Sequence, residues 1–266
     1  MRNKIITVFV SLFILSSCAK VPISQRKQMN LLPESELISM SLTSYREFLQ
    51  KNPAVLSGNE ANLVKTVGAR IQAGVIQYMN QNGYKSRISG YKWEFNLVNS
   101  PEVNAWCMPG GKVVVYAGLL PVTMNEAGLA IVMGHEIAHA VARHGNERMS
   151  QAMMAAGLGL GLDAALSGQS TQMRTIFLSA YGVGAGLGVL AYSRTHESEA
   201  DKLGLVFAAM AGYDPNAAVS FWERMAAKGG AKPPELLSTH PSDTRRIADI
   251  KAYMPQAMKY YRPTGK

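Results

Sequence analysis

His135, Glu136 and His139 form an HExxH spacing inside the stretch TMNEAGLAIVMGHEIAHAVARHG, Thr123 to Gly145. Each helical residue turns about 100°, so the two imidazoles lie about 40° apart on one face with Glu136 beside them. Two imidazoles so placed can share one zinc ion, and a neighbouring carboxylate can take a proton from zinc-activated water. The chemistry indicated is hydrolysis. A bare HExxH arises by chance in a chain this long with a probability on the order of one per cent, so its surroundings must decide. Leu129, Ile131, Val132, Ile137 and Val141 make those surroundings apolar, which implies buried histidines that need partners.

A zinc ion on two histidines needs a third protein ligand. The stretch SRTHESEADKLG, Ser193 to Gly204, offers three carboxylates. Glu197 and Asp201 are four apart on one helix face, whereas Glu199 is about 200° from Glu197 and points elsewhere. Glu197 is therefore expected to ligate, and Asp201 to accept the Nδ1 proton of a zinc histidine. The competing reading is a solvated acidic cluster at a helix N-terminus, where acids are favoured.

The elements that must position these groups are mostly helical. Thr123 and Glu126 stand in capping-box spacing, and Arg143, His144 and Gly145 suit a helix C-terminus, so one helix through the HExxH motif is expected. Apolar periodicity predicts two earlier helices, Glu34 to Gln50 and Asn59 to Asn82. Tyr91 to Val98 alternates as a strand does. Asn99 to Leu120 reads as two short strands around the turn Pro109-Gly110-Gly111, a hairpin whose free edge could pair with a peptide main chain. The fold class expected is mainly α with a small antiparallel β-sheet (α+β), an active-site helix and an adjacent edge strand. Runs of Ala, Gly and Leu at Ala155 to Gly161 and Ala180 to Ala191 favour two close-packed helices or a lid over a membrane hairpin, because Asp163 and the glycines weaken a span.

Arg2 and Lys4 precede the apolar run Ile5 to Leu15, then Leu15-Ser16-Ser17-Cys18. This pattern fits a lipoprotein signal peptide over 1–17, a lipidated Cys18, a polar tether over 18–32 and a single metallopeptidase domain over 33–266. Cys107 would then be the one thiol left for the fold, a buried filler with no disulfide partner. Loss of Arg2 and Lys4 takes the formal charge from +9 to about +7, without the basic runs and interleaved aromatics that nucleic-acid binding requires.

Four blocks, NAWCMPGGKVVVYAGLL, GHEIAHAVARHG, SRTHESEADKLG and STHPSDTRRI, in this order over about Pro33 to Ile250, resemble the HtpX and CAAX prenyl protease family of zinc metallopeptidases, in the bacterial envelope lipoprotein branch typified by LoiP and BepA. The resemblance implies a zincin-like domain with one zinc ion on His135, His139 and Glu197, with Glu136 as general base and Asp201 supporting the site. It also implies that Asn104 and Ala105 begin the substrate-binding edge strand. His240, in STHP, would approach the metal, either as an oxyanion donor or as a removable fourth ligand; its alternative role is capping the helix that Ser242 and Asp243 begin. The implied function is cleavage of misfolded or misassembled envelope proteins by a protease lipid-anchored in the envelope and facing the periplasm, with the outer membrane expected because no Asp follows Cys18. The sequence ends soon after Tyr261, so a tetratricopeptide array for recruiting partners is not expected. Two rival readings are a zinc-latched chaperone that rarely cuts and a structural lipoprotein stapled by metal.

Overall fold

A computed structural model describes residues 18–155, 171–181, 192–229, 234–240 and 244–263. The leader at 1–17 and most of the two small-residue runs lie outside the described residues. Two strands come first, β1 (Cys18–Lys20) and β2 (Lys27–Met29), paired antiparallel. They are followed by helices α1 (Glu34–Lys51) and α2 (Asn59–Gln81), within a residue of the expected bounds. Then come β3 (Glu94–Val98), β4 (Ala105–Met108) and β5 (Lys112–Tyr116).

The small sheet is mixed, not wholly antiparallel. β5 is central, joined to β4 as a hairpin and to β3 in parallel, with Glu94 opposite Lys112 and Val98 opposite Tyr116. The hairpin is a local event fixed by its turn, whereas the direction of β3 depends on which edge of the hairpin it meets and which side chains it must bury. β5 is covered on both faces. Val113 and Val115 enter the main core and Val114 and Tyr116 a second cluster with Leu37, Tyr45 and Phe177, the alternation that a strand requires. Cys107 is buried in the first of these cores, as a filler would be.

Helix α3 (Glu126–Ala142) carries the HExxH motif and is buried from Gly128 to Ala142. Its cap differs from the expected one. Asn125 accepts from the Gly128 amide at 2.9 Å, while Thr123 belongs to the preceding turn and donates to the Leu120 carbonyl. Met124, at φ 68°, separates the two. The far end differs too, because Arg143 adopts a left-handed conformation at φ 63° and His144 opens a new helix, α4 (His144–Ala155). After α5 (Thr171–Ala180), helix α6 (Arg194–Met210) starts on Ser193, whose hydroxyl accepts from the His196 amide. Three further helices follow, α7 (Ala217–Ala227), α8 (Glu235–Thr239) and α9 (Thr244–Ala257). No helix among the described residues is long and apolar enough to cross a membrane.

Close approach of α3 and α6 positions the site. A Cβ on Gly204 would lie 2.8 Å from the His135 amide nitrogen, and one on Gly134 would lie 2.9 Å from the Gly204 carbonyl oxygen. Hydrogen in place of a side chain at both positions lets the two backbones touch.

The segment expected to be a tether is instead folded onto the domain. Val21 is fully buried, Gln28 nearly so, and Arg26 forms ion pairs with Glu147 and Glu199. Arg87 holds the hairpin from beneath, donating to the Lys20 carbonyl at 2.5 Å and to Gln28 at 3.3 Å. A polar composition reads as linker only where its charges have solvent as their partner; here Arg26 has two buried carboxylates.

Candidate metal centre

Four side chains from three regions of the chain converge below the sheet. His135 and His139 come from successive turns of α3, Glu197 from the first turn of α6, and His240 from the C-terminal end of α8. All four are buried, and one ligand atom from each lies within 4.8 Å of every other. His139 Nε2 is 3.1 Å from His135 Nε2, and His240 Nδ1 is 3.2 Å from His135 Nε2 and 2.9 Å from Glu197 Oε1. Three imidazole nitrogens and one carboxylate oxygen, crowded together in an apolar interior, are the donor set zinc takes.

Glu136 supplies a second observation that the residues fit a hydrolytic metal. Its Oε1 is buried, lies 3.5 Å from His240 Nε2 and has no hydrogen-bond partner among the described residues. Burial raises its carboxyl above the ordinary value, against the pull of His240 and His135, which makes it a stronger base than a solvated glutamate. Glu197 goes the other way: burial alone would raise it, but His240 and Arg246 hold it well below the ordinary range, so it stays anionic. Burial pushes His139 well below its ordinary value and keeps it neutral, as a ligand must be.

The supports of this set reach further than the sequence indicated. His135 Nδ1 lies 3.0 Å from Asp201 Oδ1, the contact anticipated from the spacing of Glu197 and Asp201. Asp201 is in turn gripped by Arg246, with Nε and Nη2 both at 2.8 Å, and Arg246 Nη1 reaches Glu197 Oε2 at 2.8 Å. The guanidinium sits 3.5 Å above the Trp222 ring, which also packs edge-on to His135. Tyr192 lies over His139 with ring centroids 3.9 Å apart. Neither Arg246 nor Tyr192 emerges from sequence spacing. The only available signal for Arg246 was its place six residues after His240 in a block already singled out.

Glu199 faces away from the ligand set, as its angle required, yet it does not face solvent. It accepts from His144 and Arg26. The chain has five histidines, and all five are buried in one continuous stack, since His144 meets His139 and His196 lies on His144 with centroids 4.6 Å apart. Ala105 opens β4, an edge strand of the sheet that packs on α3. Asn104 Oδ1 accepts from the Ala105 amide, and the Val103 carbonyl accepts from Leu236 of α8.

Sequence comparison agrees with this geometry. The model of peptidase family M48 matches residues 69–254, which include His135, His139, Glu197 and His240. The chain belongs to peptidase family M48. Like other M48 enzymes it is a zinc-dependent metalloendopeptidase. It is 31% identical over 260 residues to mitochondrial metalloendopeptidase OMA1 of Saccharomyces cerevisiae, covering 94% of this chain and 73% of that protein. It is 40% identical over 176 residues to the OMA1 of Schizosaccharomyces pombe, covering 65% and 50%. The beta-barrel assembly-enhancing protease of Escherichia coli is 34% identical over 185 residues, or 66% of this chain and 38% of that protein. These names bear out the metallopeptidase family. They divide between a mitochondrial and a bacterial setting, and they point to OMA1 and the assembly-enhancing proteases rather than to HtpX or CAAX prenyl proteases.

Proposed function

We propose that this chain is an endopeptidase of the bacterial cell envelope, anchored through a lipid on Cys18 and facing the periplasm, that cuts misfolded or misassembled envelope proteins. The observation that carries the catalytic part is Glu136 Oε1, buried with no hydrogen-bond partner among the described residues, beside four converging candidate ligand atoms. The setting is supported by the lipobox-like Leu15 to Cys18 and by the likeness to assembly-enhancing proteases. In this reading His135, His139 and Glu197 hold the zinc, and Asp201 fixes the His135 tautomer. When bound, zinc supplies Lewis acidity that activates water and polarises the scissile carbonyl.

The chain's own residues do the rest. Glu136 takes a proton from the attacking water and returns it to the leaving amine nitrogen, so the bond broken is the peptide C–N and the products are a carboxylate and an amine. Substrate main chain pairs with the edge of β4 from Asn104 and Ala105 onward. His240 serves either as a removable fourth ligand or as an oxyanion donor.

The test is hydrolysis of an unfolded protein with and without chelator, beside Glu136→Gln. That variant is expected to keep zinc and to lose activity by roughly 10²- to 10⁴-fold, because an amide accepts no proton; wild-type turnover would end the assignment. Incorporation of labelled fatty acid into wild type and not into Cys18→Ser checks the anchor.

A second reading, a zinc-latched chaperone for outer-membrane proteins, rests on His240 Nδ1 standing among the ligand atoms, where it would fill the position a reacting water needs.

A further inference from the structure

The two metal-facing histidines of α3 are supported in parallel ways from opposite ends of the chain. His135 leads to Asp201 and then to Arg246. His139 leads to His144, then Glu199, then Arg26: His139 Nδ1 is 3.0 Å from His144 Nδ1, His144 Nε2 is 3.0 Å from Glu199 Oε2, and Arg26 Nε and Nη2 each lie 2.9 Å from Glu199 oxygens. We propose that Arg26, acting through Glu199 and His144, is a positioning residue for His139, so that the β1–β2 hairpin is part of the metal centre.

The proton positions along this path follow from donor and acceptor chemistry. The Glu199 carboxylate only accepts, so His144 Nε2 carries a hydrogen. Two ring nitrogens face each other at 3.0 Å between His144 and His139, and only one of them can hold a hydrogen. With its hydrogen on Nε2, the neutral His144 ring offers Nδ1 as an acceptor. His139 Nδ1 is therefore the donor, and His139 Nε2 is left with a lone pair aimed at Glu197 and His135. The reversed arrangement would set two acceptors against each other at Glu199 and put a hydrogen on the ligating nitrogen.

Arg26 fixes the carboxylate end. Its guanidinium spans Glu199 and Glu147, reaching Glu147 oxygens at 2.7 and 2.8 Å, and Ser24 donates to Glu199 as well. A planar fork holds two carboxylates in one plane, which an ammonium group does not. Without it, two glutamates buried side by side would repel each other, and Glu199 would lose its hold on His144.

The inference rests on the reading of His139 as a ligand, so the experiment carries His139→Ala as a reference. Zinc affinity of the full chain is measured by chelator competition, with far-UV circular dichroism and thermal midpoint for each variant. Arg26→Ala, Glu199→Ala and His144→Ala are expected to bind zinc roughly 10- to 100-fold more weakly, the usual cost of removing a group that orients a metal ligand. Arg26→Lys recovers part of the loss. Arg26→Ala combined with His144→Ala should be no weaker than His144→Ala alone, because both act along one path. Wild-type zinc affinity in folded Arg26→Ala and Glu199→Ala, or a fall in thermal midpoint alone, would overturn the proposal. Should Arg26→Ala not fold, Glu199→Gln takes its place: it keeps an acceptor for His144 and loses the charge that Arg26 pairs with, and unchanged affinity there is equally fatal. Zinc retained by His139→Ala would instead remove the ligand assignment underneath.

Discussion

Asp201 Oδ1 lies 3.0 Å from His135 Nδ1, while Nε2 of the same ring meets His139 Nε2 and His240 Nδ1. The same carboxylate is clamped by two donors of Arg246. Asp201→Ala should therefore leave zinc binding detectable but roughly 10- to 100-fold weaker. Glu197→Ala should abolish stable zinc retention at neutral pH. Metal analysis after gel filtration separates the two, and full occupancy in Glu197→Ala would remove that residue from the ligand set.

His240 Nδ1 is 2.9 Å from Glu197 Oε1 and 3.2 Å from His135 Nε2. A group so placed occupies a coordination position that catalysis must leave open. His240→Ala is expected to raise turnover of an unfolded substrate at unchanged zinc content. A fall of roughly 10²- to 10³-fold would assign His240 to the oxyanion instead, and an unchanged rate would take it out of the reaction.

Gly204→Ala tests the contact that brings Glu197 to the histidines. The added Cβ would sit 2.8 Å from the His135 amide nitrogen and 3.0 Å from the Gly134 carbonyl carbon. Backbone on backbone cannot yield as a flexible side chain would, so a loss of about 1–3 kcal/mol in stability is expected. Thermal unfolding with zinc present and with zinc stripped should show the loss in both conditions, since the clash precedes the metal.

Glu147 gives the pH dependence its sign. Burial opposes its ionisation, but hydrogen bonds from Arg26 and His196 prevail and pull its carboxyl from 4.5 to about 2. A carboxyl depressed in the folded state stabilises fully above its unfolded value and loses that contribution as pH falls from 4.5 towards about 2. The gap in thermal midpoint between wild type and Glu147→Gln should thus be widest near neutral pH and close below pH 4.5. A gap of equal size at about pH 3 would show that Arg26 and His196 do not hold this carboxylate.

Local sequence determined the HExxH helix and the facing of its candidate ligands, because the 100° helical step acts over four residues and needs nothing from the rest of the chain. It fixed His135 and His139 on one face, set Glu197 and Asp201 together and turned Glu199 away. It also set α1, α2 and the β4–β5 hairpin, where apolar periodicity and a Gly-Gly turn act over short range. Tertiary structure decided what those residues face. The direction of β3 depended on which strand edge it met. Arg26, 173 residues before Glu199, and Arg246, 45 after Asp201, became partners because buried carboxylates require compensation and will take it from whatever element the fold brings near. No spacing encodes such a partner. The same requirement turned an apparent linker into a docked hairpin and gathered all five histidines into one buried stack.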